Sequence, residues 1–147
     1  YIMTKKPENW YFQSAVIPFK TSKGKTEILL IRSRKDKKWI IPKGIIENSL
    51  TAAQSAVKEA YEEAGIQGNL LNDKMWNYKY SKWEGICQVK VYLLEVTEML
   101  KTWPENFRKR RWFTIDKALE KISNKDLKLI IAEAEEICNS QLSLISK

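Results

Sequence analysis

Apolar positions in the first third of the chain follow the spacing of extended structure. Residues 11–19 alternate loosely between apolar and polar side chains, and residues 26–32 form an almost continuous apolar run. A cluster of turn-forming residues at 20–25 separates the two segments, so together they predict a hairpin. Residues 39–42 predict a short extended piece, because a proline disfavours helical backbone in the residue before it.

The spacing changes to that of a helix over residues 49–64. The apolar stripe of this helix consists of Ala53, Ala56, Val57, Ala60 and Ala64. Ser49 or Thr51 is the expected N-cap. Gly65 is expected to end the helix, because glycine readily adopts the left-handed conformation found there.

The second half of the chain predicts further strands followed by two helices. Strands are predicted at 69–80, 86–96 and 110–114, a short helix at 116–122, and an amphipathic helix at 124–138. No internal repeat or long linker divides the sequence, so we expect one domain over residues 1–147. Strands interleaved with helices predict an α/β fold, with a mixed sheet sandwiched between helices.

Composition narrows the chemistry that this fold can carry. The 147 residues include 26 Lys and Arg against 18 Asp and Glu, and the net charge of +8 favours an anionic partner such as a polyphosphate or a nucleic acid. The absence of histidine excludes Ser-His and Cys-His catalysis and histidine-ligated metals. Cys87 and Cys138 lack metal-ligand spacing and are expected to be reduced and buried. No run reaches the roughly 20 apolar residues of a membrane helix. We therefore expect a cytoplasmic protein without a membrane segment, either a monomer or a homodimer.

Three glutamates share one side of the predicted central helix. Glu59, Glu62 and Glu63 stand at positions i, i+3 and i+4. Like charges at this spacing destabilise a helix, and its C-terminal dipole disfavours anions, so a compensating group is expected. Clustered oxygen ligands suit a hard divalent cation such as magnesium. The alternative is an ordinary solvated helix face.

These residues belong to a longer pattern that resembles the Nudix box. The box reads glycine, five residues, glutamate, seven residues, and then Arg-Glu-aliphatic-x-Glu-Glu-x-Gly-aliphatic. The matching positions here are Gly44, Glu59, Ala60, Glu62, Glu63, Gly65 and Ile66. Two positions depart from the pattern, since Leu50 replaces the first glutamate and Lys58 replaces the arginine. Segments 39–44, 91–98, 103–105 and 108–113 are similar to the diphosphoinositol polyphosphate phosphohydrolase branch of the Nudix hydrolase superfamily.

The resemblance implies a Nudix fold and hydrolysis of a phosphoanhydride bond with magnesium (Mg²⁺) or manganese (Mn²⁺). The branch implies diphosphoinositol polyphosphates or dinucleoside polyphosphates as substrates. By this resemblance Glu59, Glu62 and Glu63 are the metal ligands and catalytic residues. Basic residues just before the box and in the segment 107–111 are expected to bind phosphate. Those expected to contact substrate are Arg32, Arg34, Lys43, Gly44 and Arg108, followed by Lys109 and Arg110.

The two departures leave three interpretations open. Lys58 has no planar guanidinium fork, and Leu50 cannot ligate a metal. In the first interpretation the glutamate and the arginine of the box were lost together, and in the second the activity is slow or absent. In the third interpretation Glu47 partly replaces the missing glutamate. A further ligand or base from outside the box is also expected, and the candidates are Glu84, Glu95 and Glu98.

Aromatic residues add a possible nucleotide contact. Trp39, Trp76, Tyr78 and Trp83 are candidates for stacking on a base, although Trp39 and Trp112 are expected to be packing residues. Two functions without catalysis are the alternatives to an enzyme. One is a nucleic-acid or capped-RNA binding module, and the other is a sensor that binds polyphosphates or inositol phosphates without turnover.

Overall fold

The computed structural model describes residues 9–145, and of residues 72, 73 and 141–145 it describes only the backbone. Within residues 9–145 the chain forms seven strands and three helices. In chain order they are β1 (Trp10–Ser22), β2 (Lys25–Arg32), β3 (Trp39–Ile40), β4 (Lys43–Ile45), α1 (Ala52–Ala64), β5 (Ile66–Lys82), β6 (Gly85–Met99), β7 (Arg110–Thr114), α2 (Ile115–Lys121) and α3 (Lys125–Ile145).

The strands form one mixed sheet in the order β3-β2-β1-β6-β5, with β4 paired to β1 and β7 paired to β2. The central pair, β1 and β6, is parallel, with Trp10 opposite Ile86 and Phe19 opposite Glu95. The other pairs are antiparallel, including the predicted hairpin of β1 and β2.

Each face of the sheet carries its own core, because successive side chains of a strand point to opposite faces. Ile17 and its neighbours pack on one face against α2 and α3, while Val16 and Leu29 pack on the other against α1. Helix α1 contributes only small side chains to this contact, namely Ala56, Ala60 and Ala64. The predicted mixed sheet between helices is confirmed.

Helix α1 starts later than the sequence predicts and buries a narrower stripe. It begins at Ala52, and Thr51 is its N-cap, with the backbone N–H of Gln54 donating to the Thr51 hydroxyl at 3.1 Å. The prediction that Val57 belongs to the buried stripe is wrong, since its side chain is exposed. Val57 lies at the edge of the stripe, about 100° around the helix from Ala56, and 38% of its surface is exposed.

Strand β4 is the element that the sequence analysis missed, because three residues are too short to show a periodic pattern. It pairs with β1, so that Gly44 lies opposite Ser14. Helix α3 also extends beyond the predicted end at residue 138. Cys87 and Cys138 are buried free thiols, as expected. Among the described residues, none of the helices combines the length and apolar character needed to cross a bilayer.

Candidate active site

Glu63, in the last turn of α1, points at strand β4 and is buried, with only 9% of its surface exposed. The backbone N–H of Lys43 donates to its Oε1 atom at 3.1 Å. Burial raises the pKa of Glu63 to about 8, although the nearby Arg108 guanidinium acts in the opposite direction. A carboxyl group held in this way is ready to accept a proton or a cation.

Glu59 lies one turn earlier and packs directly on Gly44. A β-carbon at Gly44 would lie 2.3 Å from the Glu59 carboxyl carbon, so only glycine leaves room for this approach. Burial, reinforced by the charge of Glu62, raises the pKa of Glu59 to about 7. Glu59 and Glu63 are therefore adjacent carboxyl groups, and burial partly desolvates both.

Glu62 is oriented differently from the other two glutamates. Its carboxylate lies 3.5 Å from the Lys58 ammonium, and the same ammonium lies 2.7 Å from Glu47. Lys58 thus bridges Glu47 and Glu62. Among the described side chains, no three Asp, Glu or Cys residues converge closely enough to form a metal site by themselves.

The C-terminus of α1 has the compensating cation that its acidic residues require. Arg110 Nη1 donates to the carbonyl oxygens of Ala64 at 2.8 Å and Gly65 at 3.1 Å. The Arg110 guanidinium stacks 3.9 Å from the Trp103 ring, whose Nε1 donates to the Glu63 carbonyl at 3.1 Å. Arg110 was expected near phosphate, but the structure uses it to cap the helix, where a cation also opposes the helix dipole.

Arg108 brings a guanidinium close to the buried carboxylate of Glu63. Its Nε atom lies 2.9 Å from Glu105, its Nη1 donates to the Arg32 carbonyl at 3.1 Å, and its Nη2 lies 3.8 Å from Glu63. The side chain is almost completely buried. The sequence analysis missed Glu105, although an acid three residues before an arginine in a turn is a recognisable signal. The Glu105 backbone N–H donates to the Glu62 carbonyl at 2.9 Å, which ties this loop to α1.

A cleft of about 540 Å³ opens in front of Glu63. Five cationic side chains line it against two acidic ones, so its potential favours an anionic ligand. The lining residues are Gln13, Ser33, Arg34, Lys35, Asp36, Ile40, Lys43, Gly44, Ile45, Glu63, Lys82, Trp83 and Arg108. Burial, and then the charge of Lys82, lowers the pKa of Lys43.

The cleft brings together most of the residues that were expected to contact substrate. Arg34, Lys43, Gly44 and Arg108 all line it. Arg32 instead lines an adjoining pocket of about 410 Å³. The candidates for a ligand from outside the box, Glu84, Glu95 and Glu98, are not among the described side chains that line the cleft.

The four aromatic candidates have different surroundings. Trp39 and Tyr78 are buried in the core, and Trp76 donates its Nε1 to Glu133 at 3.2 Å. Trp112 is partly buried and packs against the core under α1, in agreement with its expected packing role. Trp83 is the candidate that lines the cleft, and 48% of its surface is exposed.

Comparison with known proteins shows which family the chain belongs to. A family model described as the NUDIX domain matches residues 11–133. The chain belongs to the Nudix family. This Nudix domain is 36% identical over 116 residues to "Nudix hydrolase 16, mitochondrial" from Arabidopsis thaliana, an alignment that covers 73% of this chain but only 64% of that relative. It is 31% identical over 120 residues to human diphosphoinositol polyphosphate phosphohydrolase 3-alpha, covering 80% of this chain and 72% of that protein.

Solved structures confirm the Nudix fold. A C. elegans Ap4A hydrolase in a binary complex superposes with a TM-score of 0.74 at 19% identity, covering 93% of this chain and 99% of the other. The predicted resemblance to Nudix hydrolases, and with it the expected enzyme class, is confirmed at the level of the family. The names of relatives include mitochondrial and chloroplastic Nudix hydrolases, so a cytoplasmic location stays a prediction.

Proposed function

We propose that this Nudix domain is a metal-dependent hydrolase that cleaves a phosphoanhydride bond in a small anionic polyphosphate. The favoured substrates are diphosphoinositol polyphosphates and dinucleoside polyphosphates. The observation that carries the proposal is the buried pair of Glu59 and Glu63, which stands beside a cleft lined with cations. The names of a human relative and of a structural neighbour provide the two substrate classes.

The residues present fit a divalent metal ion. Glu59 and Glu63 are adjacent, and burial raises the pKa of both, so a cation bound between them would offset the cost of holding two charged carboxylates there. Oxygen donors of this kind suit Mg²⁺ or Mn²⁺. When bound, such an ion polarises the phosphate oxygens and makes water a better nucleophile. Glu62 contributes to this site less directly, because it is paired with Lys58.

The chain's own residues bind and orient the substrate. Arg34, Lys43 and Arg108 place positive charge along the cleft, where they hold the phosphate groups and oppose the charge that develops on the leaving phosphate. Three contacts fix the Arg108 guanidinium, so it needs little reorganisation to act. A carboxylate with a pKa near 7, such as Glu59, is suited to accept the proton of the attacking water at neutral pH.

The first test is the substitution Glu63→Gln. The amide oxygen still accepts the hydrogen bond from Lys43, so we expect the fold to persist while turnover falls about a hundredfold or more. Phosphate or nucleotide release is measured with Mg²⁺ and then Mn²⁺ on diadenosine polyphosphates, ADP-ribose, nucleoside triphosphates and a diphosphoinositol polyphosphate. The matched control is Glu136→Gln, at an exposed glutamate of helix α3 that does not line the cleft. Equal turnover in Glu63→Gln and the unmodified protein would refute the assignment.

Two observations favour a second function, which is binding without catalysis. Glu62 is paired with Lys58, and the described side chains include no cluster of three carboxylates that could hold a metal ion. In this alternative the domain binds polyphosphates or RNA without cleaving them. It predicts that no member of the substrate panel is turned over, and that ligand binding persists in Glu63→Gln and in the absence of divalent metal. Calorimetric titration of the folded protein with the same panel measures both properties.

A further inference from the structure

Trp83 occupies a backbone position that its side chain does not favour. It is the first of two residues in the turn between β5 and β6, and both Trp83 and Glu84 have positive φ values, 53° and 56°. Such two-residue turns prefer asparagine and glycine, and a bulky aromatic residue with positive φ is uncommon. The requirements of the turn therefore do not account for a tryptophan at this position.

The indole ring is held at the mouth of the cleft. The Tyr11 ring meets it edge-to-face, with centroids 5.1 Å apart, and the Lys82 ammonium lies 4.6 Å from the ring centroid. The ring nevertheless stays nearly half exposed and lines the same cleft as Glu63 and Arg34. Trp83 thus offers a fixed and partly open aromatic surface at one end of a cationic cleft.

The other aromatic side chains near this region are either buried or lie outside the cleft. Trp39 and Tyr78 are buried, each with 7% of its surface exposed, and they line a separate pocket of about 270 Å³ rather than the cleft. Phe107 lines the adjoining pocket, and the Arg34 guanidinium lies 5.5 Å from its ring centroid. Trp10 is 43% exposed, but it is not among the residues that line the cleft.

We propose that Trp83 stacks on a nucleobase of the substrate and selects nucleoside-bearing polyphosphates over inositol-based ones. The inference rests on the proposed function, since it takes the cleft to be the substrate site. A nucleobase has a flat π-face that stacks on tryptophan. The Lys82 ammonium, which lies over the Trp83 ring, is also placed to pair with the phosphate chain of such a substrate. A phosphorylated inositol ring is saturated and has no such face, so it gains little from the indole.

The test compares kcat/KM for a diadenosine polyphosphate with kcat/KM for a diphosphoinositol polyphosphate. In Trp83→Asn, which suits the turn but removes the ring, we expect the ratio of the two values to fall about tenfold. Trp83→Phe keeps an aromatic face and should restore most of the ratio. Trp10→Ala is the matched control, because Trp10 is similarly exposed and has Lys79 at 5.2 Å from its ring but lies outside the cleft. This control should leave the ratio unchanged.

An unchanged ratio in Trp83→Asn, or an equal loss for both substrates, would overturn the proposal. A binding measurement keeps the test decisive if neither substrate is turned over, an outcome that would refute the proposed function alone. Calorimetric titration with AMP should then show about tenfold weaker binding to Trp83→Asn, whereas binding of inorganic pyrophosphate should change less than about twofold. Equal effects on AMP and pyrophosphate would overturn the inference.

Discussion

The two buried carboxyl groups of α1 make stability depend on pH. The pKa values of Glu59 and Glu63 rise from an ordinary value of 4.5 to about 7 and about 8 in the folded chain. Between pH 4.5 and 8 the folded state consequently binds more protons than the unfolded state, so the free energy of unfolding falls as the pH rises through this interval. We expect the melting temperature of the metal-free protein to drop by about 5 °C from pH 5 to pH 8.5.

The substitution Glu63→Gln isolates this contribution from other titrating groups. Melting curves recorded in EDTA should show a smaller pH dependence for the variant than for the unmodified protein. Adding Mg²⁺ should stabilise the unmodified protein more at pH 8.5 than at pH 6, because metal ligands must lose their protons. Identical pH profiles for the two proteins would contradict the placement of Glu63.

At the scale of single residues, the sequence predicted positions along the chain better than it predicted side-chain contacts. The helical spacing placed Glu59 and Glu63 on one side of α1, and from that side they reach Gly44 and the backbone N–H of Lys43. It did not predict that Lys58 would draw Glu62 away, since that outcome depends on side-chain rotamers and on Glu47 from another segment. The role of Arg108 beside Glu63 depends on a tertiary contact between residues distant in sequence.

Among the elements, the C-terminal end of α1 controls the geometry of the site. Arg110 donates to three carbonyl oxygens there, those of Ala64, Gly65 and Leu100. In Arg110→Met all three carbonyls lose this donor, and among the described residues only that of Gly65 keeps another, the backbone N–H of Leu100, so we expect the free energy of unfolding to fall by about 2 kcal/mol. Turnover should also fall, because Glu63 lies in the same turn of the helix. Urea unfolding followed by circular dichroism measures the stability.

The control for this variant is Lys109→Met, which removes the same charge from the neighbouring exposed side chain. Arg110→Lys should give an intermediate loss, because an ammonium cannot satisfy as many carbonyls as a planar guanidinium. Equal stability of Arg110→Met and Lys109→Met would show that the contacts of Arg110 with the helix end contribute nothing measurable.

The sequence predicted several elements well where apolar spacing is clear, although α3 runs beyond its predicted end at residue 138. The β1–β2 hairpin, α1 and β7 were all predicted close to their observed bounds. Strand β4 was missed because its three residues are ordered by pairing with β1 rather than by local preference. Likewise, the phosphate-binding role expected for Arg110 failed because a basic residue next to a helix end has two uses that sequence alone does not separate.

For the molecule as a whole, the net charge is +8, and the cleft carries five cationic side chains against two acidic ones. The proposed polyphosphate substrate would therefore be attracted from solution by a field that salt screens. We expect KM to rise about fivefold between 50 and 300 mM KCl while kcat changes less than about twofold. Steady-state kinetics at a series of salt concentrations measure both constants.

Removing one charge at each of two sites tests whether the cleft itself causes the dependence of KM on salt. Lys82→Gln removes a cleft cation and should reduce the dependence of KM on salt, whereas Lys117→Gln, on the distant helix α2, should not. A KM that does not change with salt would mean that the basic cleft has no part in capturing the substrate.

The parallel pairing of β1 with β6 has a consequence for how the protein is made. These strands come from opposite halves of the chain, so the centre of the sheet cannot close until the ribosome has delivered β6. Helix α1 emerges earlier, and its alanine stripe then has only part of its final packing surface, because Leu94 of β6 belongs to that core. During synthesis Glu59 and Glu63 are therefore ordinary solvated carboxylates. Their pKa values rise only when translation of the second half of the chain allows the sheet to be completed against α1.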